Sequence, residues 1–398
     1  MKMFILKNAY LVHEDKTVNL LVNLNKVKIL TENLEQFDQT DIIDLEGRMV
    51  LRGYTDTHMH LDKALIGEKV VNASGTLEEA IKIMSTYKPT MSDQDIYERM
   101  KKVIDMAYEH GTRYLRTNID IDDNIKLRSL DIIHKLRDAY KDKMVIESIA
   151  FPQEGFLDNE NNFSYLELAL KKGADVLGGI PAFDSNPKLH LEKLMELAKK
   201  YDVDLDAHID ETDDPKTLTI KDLIRLTKKY NYQGRVTAAH CCSLAANDKK
   251  VVDPILKKAK EVELNIVPLP STNLYLQGRG DTKNIRRGIT PIKSIVYDHG
   301  INISIGSDNV RDPFNCFGNA NPLEAALIAA HGAHMGSTED FNTLFDAISK
   351  NGMKIMHQDF HIENTNFFIV VDAKSPRDAI IGVSPIYGYM ENYKFIIK

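Results

Sequence analysis

Two histidines one residue apart, His58 and His60, lie near the end of the run Arg52–Lys63. Side chains alternate faces along a β-strand, so on a strand both imidazoles point the same way and can reach one metal ion. Further along, His208 is followed three residues later by Glu211, His240 ends an apolar run, and Asp308 is followed by Asn309; Gln153 lies in Ala150–Gly155. Imidazoles and carboxylates hold divalent metals and carry protons near neutral pH. Any one of these histidines alone reads more readily as a hydrogen-bonded core residue or a strand-end polar group. The case rests on whether the fold gathers them.

Eight short apolar segments are rich in β-branched residues and bounded by turn formers: Val50–Thr57, Arg113–Ile119, Met144–Phe151, Ala174–Ile180, Asp204–Ile209, Arg235–Ala239, Asn265–Leu269 and Asn302–Gly306. They suit buried parallel strands. Between them, Asp93–Tyr108, Tyr165–Lys172, Leu191–Tyr201 and Ile220–Tyr230 carry apolar residues at helical spacing. Strand and helix alternating eight times predict an α/β fold of the (β/α)8 TIM-barrel type across residues 50–359. The competing doubly wound sheet lacks its glycine-rich fingerprint. In the barrel, His58 and His60 end strand one, Gln153 follows strand three, His208 and Glu211 end strand five, His240 ends strand six, and Asp308 and Asn309 end strand eight. That edge is where barrel enzymes keep their active sites. Residues 1–49 and 360–398 read as a small β domain built from both ends, with strands at Phe4–Val12, Leu20–Val27, Asp41–Asp44, Phe367–Val371 and Tyr393–Ile397.

Composition narrows the function. The 398 residues are 43% hydrophobic, enough for a large core, and the net charge of −7 gives no footprint for nucleic acid or an anionic membrane. The basic cluster Lys283–Arg287 reads as a solvated face. Three cysteines, two of them adjacent, make no disulfide framework, and no apolar run reaches the ~18 residues of a membrane span. We expect a cytoplasmic enzyme.

The motifs His58-Met-His-Leu-Asp62, Ala150-Phe-Pro-Gln-Glu-Gly155, Gly173-Ala-Asp-Val176, His208-Ile-Asp-Glu211, Arg235-Val-Thr-Ala-Ala-His240, Leu276-Gln-Gly-Arg279 and Arg286-Arg-Gly-Ile-Thr290 resemble the cytosine deaminase-like family of the amidohydrolase superfamily. Pro270–Arg279 and Ser307–Phe314 are closer to its N-isopropylammelide amidohydrolase branch. The resemblance covers most of the chain and supplies the β-sandwich form of the end domain. It implies one divalent metal ion per chain, Zn or Fe, held by His58, His60, His208 and Asp308. A lysine that bridges two metals at the end of strand four in some relatives has no counterpart in Ala174–Phe183. Lys63, near the strand-one histidines, reads as solvated or ion-paired.

The implied reaction is hydrolytic deamination of a six-membered nitrogen ring, a pyrimidine or aminotriazine, with a metal-activated hydroxide attacking the amine-bearing carbon. Glu211 shuttles the proton, while His240 and Asp308 orient the nucleophile and Asp308 takes the water proton. Gln153 hydrogen-bonds a ring carbonyl and N–H, because an amide both donates and accepts. Asn309 stands where cytosine deaminases usually have a second aspartate, and Phe314 where they have tryptophan, so strict cytosine specificity is not implied. A homo-oligomer is expected from the relatives. Ring-opening hydrolysis of a cyclic amide and a non-catalytic barrel scaffold are the alternatives.

Overall fold

Period-two burial makes the first strands: in β1 (Phe4–Leu11) and β2 (Lys16–Asn23), Leu6, Leu20 and Val22 point inward and pair as a hairpin. β3 (Lys26–Leu30), β4 (Asp41–Asp44) and β5 (Met49–Leu51) follow. The computed structural model describes residues 3–23, 26–31, 34, 37, 41–363 and 365–398. Where the sequence predicts one strand over Leu20–Val27, the chain instead turns back between β2 and β3; residues 24 and 25 of that prediction lie outside the described residues.

The barrel strands are β6 (Tyr54–Met59), β7 (Thr112–Asp120), β8 (Val145–Phe151), β9 (Val176–Gly179), β10 (Asp204–Ile209), β11 (Val236–His240) and β12 (Asn265–Val267), parallel and in chain order. Their residues are buried almost throughout, which is why their sequences lack alternation. The predicted strand Val50–Thr57 divides: its first residues belong to β5, and the barrel strand starts at Tyr54. The crossover is at Gly53, where a Cβ would lie 2.4 Å from the Cβ of Arg113.

The predicted eighth strand, Asn302–Gly306, is not a regular ladder strand. It closes the barrel through two isolated bridges, Ile266 to Ile303 and Met59 to Asp308. Ser304 N donates to Ile266 O at 3.2 Å, Asp308 N to His58 O at 2.8 Å, and His60 N to Asp308 O at 3.0 Å. Gly306 permits this approach, since a Cβ there would sit 2.7 Å from His58 O.

All four predicted helices are present, as Asp93–Glu109, Glu160–Lys171, Pro187–Tyr201 and Ile220–Tyr230. Ser92, Asn159 and Asn186 cap the first three, and Asp202 and Asn231 in left-handed conformation end the last two. The chain returns to the first sheet as β13 (Phe367–Val371), β14 (Ile386–Glu391) and β15 (Lys394–Ile397). That mixed sheet runs β15-β14-β13-β5-β1-β2-β3, with β4 also on β1. It curls on itself around Leu6, Leu20, Val22, Phe368, Val370 and Met390, bringing the rings of Phe4 and Phe395 within 6.5 Å. No described helix is long and apolar enough to cross a membrane.

Candidate active site

His58 leaves β6 pointing into the barrel mouth, and His60 follows on the same face. Asp56 locks this strand to the eighth segment: its Oδ1 accepts from His58 N at 3.3 Å and Ser307 N at 3.1 Å. Burial pushes its carboxyl up to about 6. His208 arrives from β10. His58 Nε2 and His60 Nε2 lie 3.2 and 3.1 Å from His208 Nε2, and Asp308 Oδ1 is 3.3 Å from His60 Nε2 and 3.7 Å from His58 Nε2. All four side chains are buried, with their ligating atoms within 4.8 Å of one another.

This donor set fits a divalent metal. Burial holds the three imidazoles far below their ordinary pKa, which favours the neutral, ligating form, and their Nε2 atoms converge on one point. Asp308 Oδ2 has no partner among the described residues. Tetrahedral ligands at ~2.0 Å would stand ~3.3 Å apart, close to the spacings found. Among the described residues only this one group of three or more such side chains forms. At the end of β9, Gly178 and Gly179 pack where a Cβ would meet Ile149 at 2.7 Å and Leu194 at 2.1 Å, and no lysine occupies that position.

His240, Cys241 and Asp308 have positive φ angles of 67°, 55° and 60°, a cost of about 1–3 kcal/mol each that the surrounding bonds sustain. Thr290 Oγ1 donates to His240 O. Asn273 Nδ2 lies 3.0 Å from His240 Nδ1, and burial pulls the imidazole down to about 4. With Nδ1 accepting, the proton sits on Nε2, which faces Glu211 Oε2 at 3.7 Å. Burial, and then the nearby Asp308 carboxylate, raise the Glu211 pKa well above its ordinary value.

Gln153 follows β8, and its Oε1 accepts from Lys63 Nζ at 2.7 Å. Asn309 Nδ2 donates to Asp312 Oδ2 at 2.8 Å, which turns the Asn309 Oδ1 away from that carboxylate as an acceptor. Phe314 packs with Ile66, Ala80 and Met84, fixing the loop after β6, and its ring centroid lies 5.6 Å from Lys63 Nζ.

Residues 159–361 match the amidohydrolase family. A pterin deaminase from Rhizobium rhizogenes is 31% identical over 294 residues, covering 73% of this chain and 67% of that protein. The chain belongs to the amidohydrolase family. As an amidohydrolase it is a hydrolase acting on C–N bonds. N-isopropylammelide isopropyl amidohydrolase from Pseudomonas sp. is 26% identical over 99% of this chain and 97% of its own. The crystal structure of 5-methylcytosine deaminase from Klebsiella pneumoniae, liganded with phosphonocytosine, superposes with a TM-score of 0.92 at 26% identity, covering 99% of this chain and 98% of that one.

The structure of this amidohydrolase gathers His58, His60, His208 and Asp308 into one buried cluster, with the His240 ring 4.9 Å from that of His208 and Glu211 beside His240; Gln153 and Phe314 meet at Lys63, and Asn309 follows Asp308. Sequence reasoning passed over the end of β7, where Asn118 Nδ2 lies 3.3 Å from His58 Nε2 and Asp120 pairs with Lys63. It also missed Asn273 and Asp312. The signal for Asn118 and Asp120 was available: both are polar residues closing a predicted barrel strand. Lys63 is ion-paired as expected, but buried rather than solvated. His331 lies on an exposed helix face, its Nδ1 2.8 Å from Leu327 O.

Proposed function

We propose that this protein is a metal-dependent hydrolytic deaminase of a six-membered nitrogen heterocycle, releasing ammonia or an alkylamine from a ring carbon. The observation that carries the reading is the convergence of His58, His60, His208 and Asp308, with Glu211 Oε2 3.7 Å from His240 Nε2 at the same site. These four residues would hold one divalent ion, Zn or Fe, whose Lewis acidity makes water nucleophilic near neutral pH. Asp308 accepts the proton of the attacking water. Glu211 protonates the ring nitrogen beside the attacked carbon, the proton held by Asp308 passes to the departing amine, and Glu211 recovers a proton from the new hydroxyl as the ring carbonyl forms. His240 donates from Nε2 to the developing hydroxyl. Gln153, Asn309 and Phe314 fix the ring in plane, and exclusion of water strengthens each of these contacts.

The relatives favour a pyrimidine, a pterin or an aminotriazine. We place the division into a β domain (1–49 and 360–398) and a barrel (50–359) in the same proposal, supported by the switch between sheets at residues 51–54. We further propose a cytoplasmic homo-oligomer.

The test is amine release by metal-analysed protein from cytosine, isocytosine, ammelide, N-isopropylammelide and pterin. Chelator-sensitive turnover of one of them with about one metal per chain is expected. Bound metal without release from any would overturn the deaminase reading in favour of ring opening, and no metal would favour a scaffold.

A further inference from the structure

Lys63 is 1% exposed and takes no part in the reaction as written above. Its Nζ donates to Asp120 Oδ1 at 2.5 Å and to Gln153 Oε1 at 2.7 Å. An ammonium carries three hydrogens, and the third has no partner among the described residues. The rings of Phe151 and Phe314 flank it at 5.4 and 5.6 Å. Its charge acts on His60, His208 and Glu211, which places it beside the ligand cluster.

Burying an ammonium costs several kcal/mol unless it is paired. Here Asp120 lies between two of them, with Lys88 Nζ 2.9 Å from its other oxygen, and Asp120 N donates to Asp62 Oδ2 at 2.8 Å. Lys88 is held in turn by Asp122 and by Glu154 at 3.3 Å. The arrangement fixes Lys63 rigidly at the pocket wall. It also fixes Gln153: with Oε1 accepting from Lys63, the amide is oriented so that its NH2 has no partner among the described residues and is left to donate. The wall therefore presents two donors side by side, the third Lys63 hydrogen and the Gln153 NH2, with one lone pair of the Gln153 oxygen beside them.

We propose that Lys63 and the Gln153 amide form a donor pair that binds a ring carbonyl oxygen, so that the substrates are amino-substituted rings carrying a carbonyl conjugated to the attacked carbon. This deepens the deaminase reading and rests on it for the identity of the ring. Attack at the amine-bearing carbon pushes electron density through the ring onto that oxygen, where a buried ammonium stabilises it without reorganisation. Rings lacking the oxygen would leave the ammonium hydrogen unpaired in a dry pocket, a strong ground for rejection.

The experiment compares matched rings with and without the oxygen, cytosine against 4-aminopyrimidine and pterin against 2-aminopteridine, by calorimetry and by amine release on metal-loaded enzyme. Wild type is expected to bind the carbonyl-bearing member at least ~10-fold more tightly. Lys63→Met should lose that preference and lower kcat/KM by ~10²–10³-fold, with metal content unchanged. The double variant Lys63→Met, Asp120→Asn removes the ion pair together and repeats the test if the single variant fails to fold. Equal binding of both members by wild type, retained preference in the variant that folds, or no binding of either carbonyl-bearing ring would overturn the proposal. Preferential binding without any amine release would sustain the donor pair and reject the deaminase reading.

Discussion

Asn273 Nδ2 stands 3.0 Å from His240 Nδ1, so an amide on the helix Pro270–Leu276 sets which imidazole nitrogen carries the proton at the pocket mouth. Replacing Asn273 with Leu should free the tautomer. The loss of one buried hydrogen bond, about 1–1.5 kcal/mol, predicts a ~10-fold fall in kcat with KM little changed. Nitrogen NMR of His240 reads the tautomer directly, and an unchanged proton position would show that Asn273 does not choose it.

Glu211→Gln keeps the size of the side chain and removes its proton. Turnover should drop by ~10²–10⁴-fold, while metal content by elemental analysis stays at wild-type level. Metal loss in this variant would instead make Glu211 a support of the ligand set.

Chelation should destabilise the fold as well as abolish turnover. Three neutral imidazoles and a carboxylate converge on one point, so an ion at ~1,000 times its dissociation constant adds about 4 kcal/mol. Calorimetry should show a lower melting temperature in chelator, restored by Zn or Fe; identical melting curves would argue against a resident metal.

Gly306→Ala should damage both barrel closure and the metal centre. The added methyl would meet His58 O at 2.7 Å and Leu269 Cδ2 at 2.9 Å, and such overpacking costs about 1–3 kcal/mol. Reduced metal retention alongside lower stability is the expected pair of results.

Far from the site, Asp340 closes the capping box of the helix Thr338–Ala347. Burial pushes its carboxyl up, but donation from Ser337 N at 2.9 Å, Tyr297 OH at 2.7 Å and Gly336 N at 2.8 Å outweighs this and brings it to about 2. A depressed carboxyl stabilises the fold above its unfolded pKa, ~3.9, and ceases to as pH falls through about 2. Asp340→Ala should therefore cost ~1 kcal/mol at pH 7, with the difference from wild type shrinking between pH 4 and 2 in denaturant titrations.

The fold was legible where one physical cause dominated. Buried parallel strands demand apolar β-branched runs, and seven were found to within a few residues. The eighth was misjudged as a regular strand because closure there depends on Gly306 and a left-handed Asp308, which no apolar run announces. The switch from β5 to β6 was hidden because both strands are buried and only Arg52 and Gly53 separate them. The histidine pair was legible because strand period places both rings on one face. The Lys63, Asp120 and Lys88 network was not, since charges dispersed along the chain read as solvated until the fold buries them together.

The pairing of β13 with β5 has a consequence for biosynthesis. Leu51 leaves the ribosome long before Ile369, its partner across the ladder. Throughout translation of the barrel, at ~5–20 residues per second, one edge of the early sheet stays open, with unsatisfied backbone groups able to recruit strands from other chains. A nascent amidohydrolase of this design thus finishes its oldest element last, and its yield in the cell should depend on how well that waiting edge is shielded by chaperones.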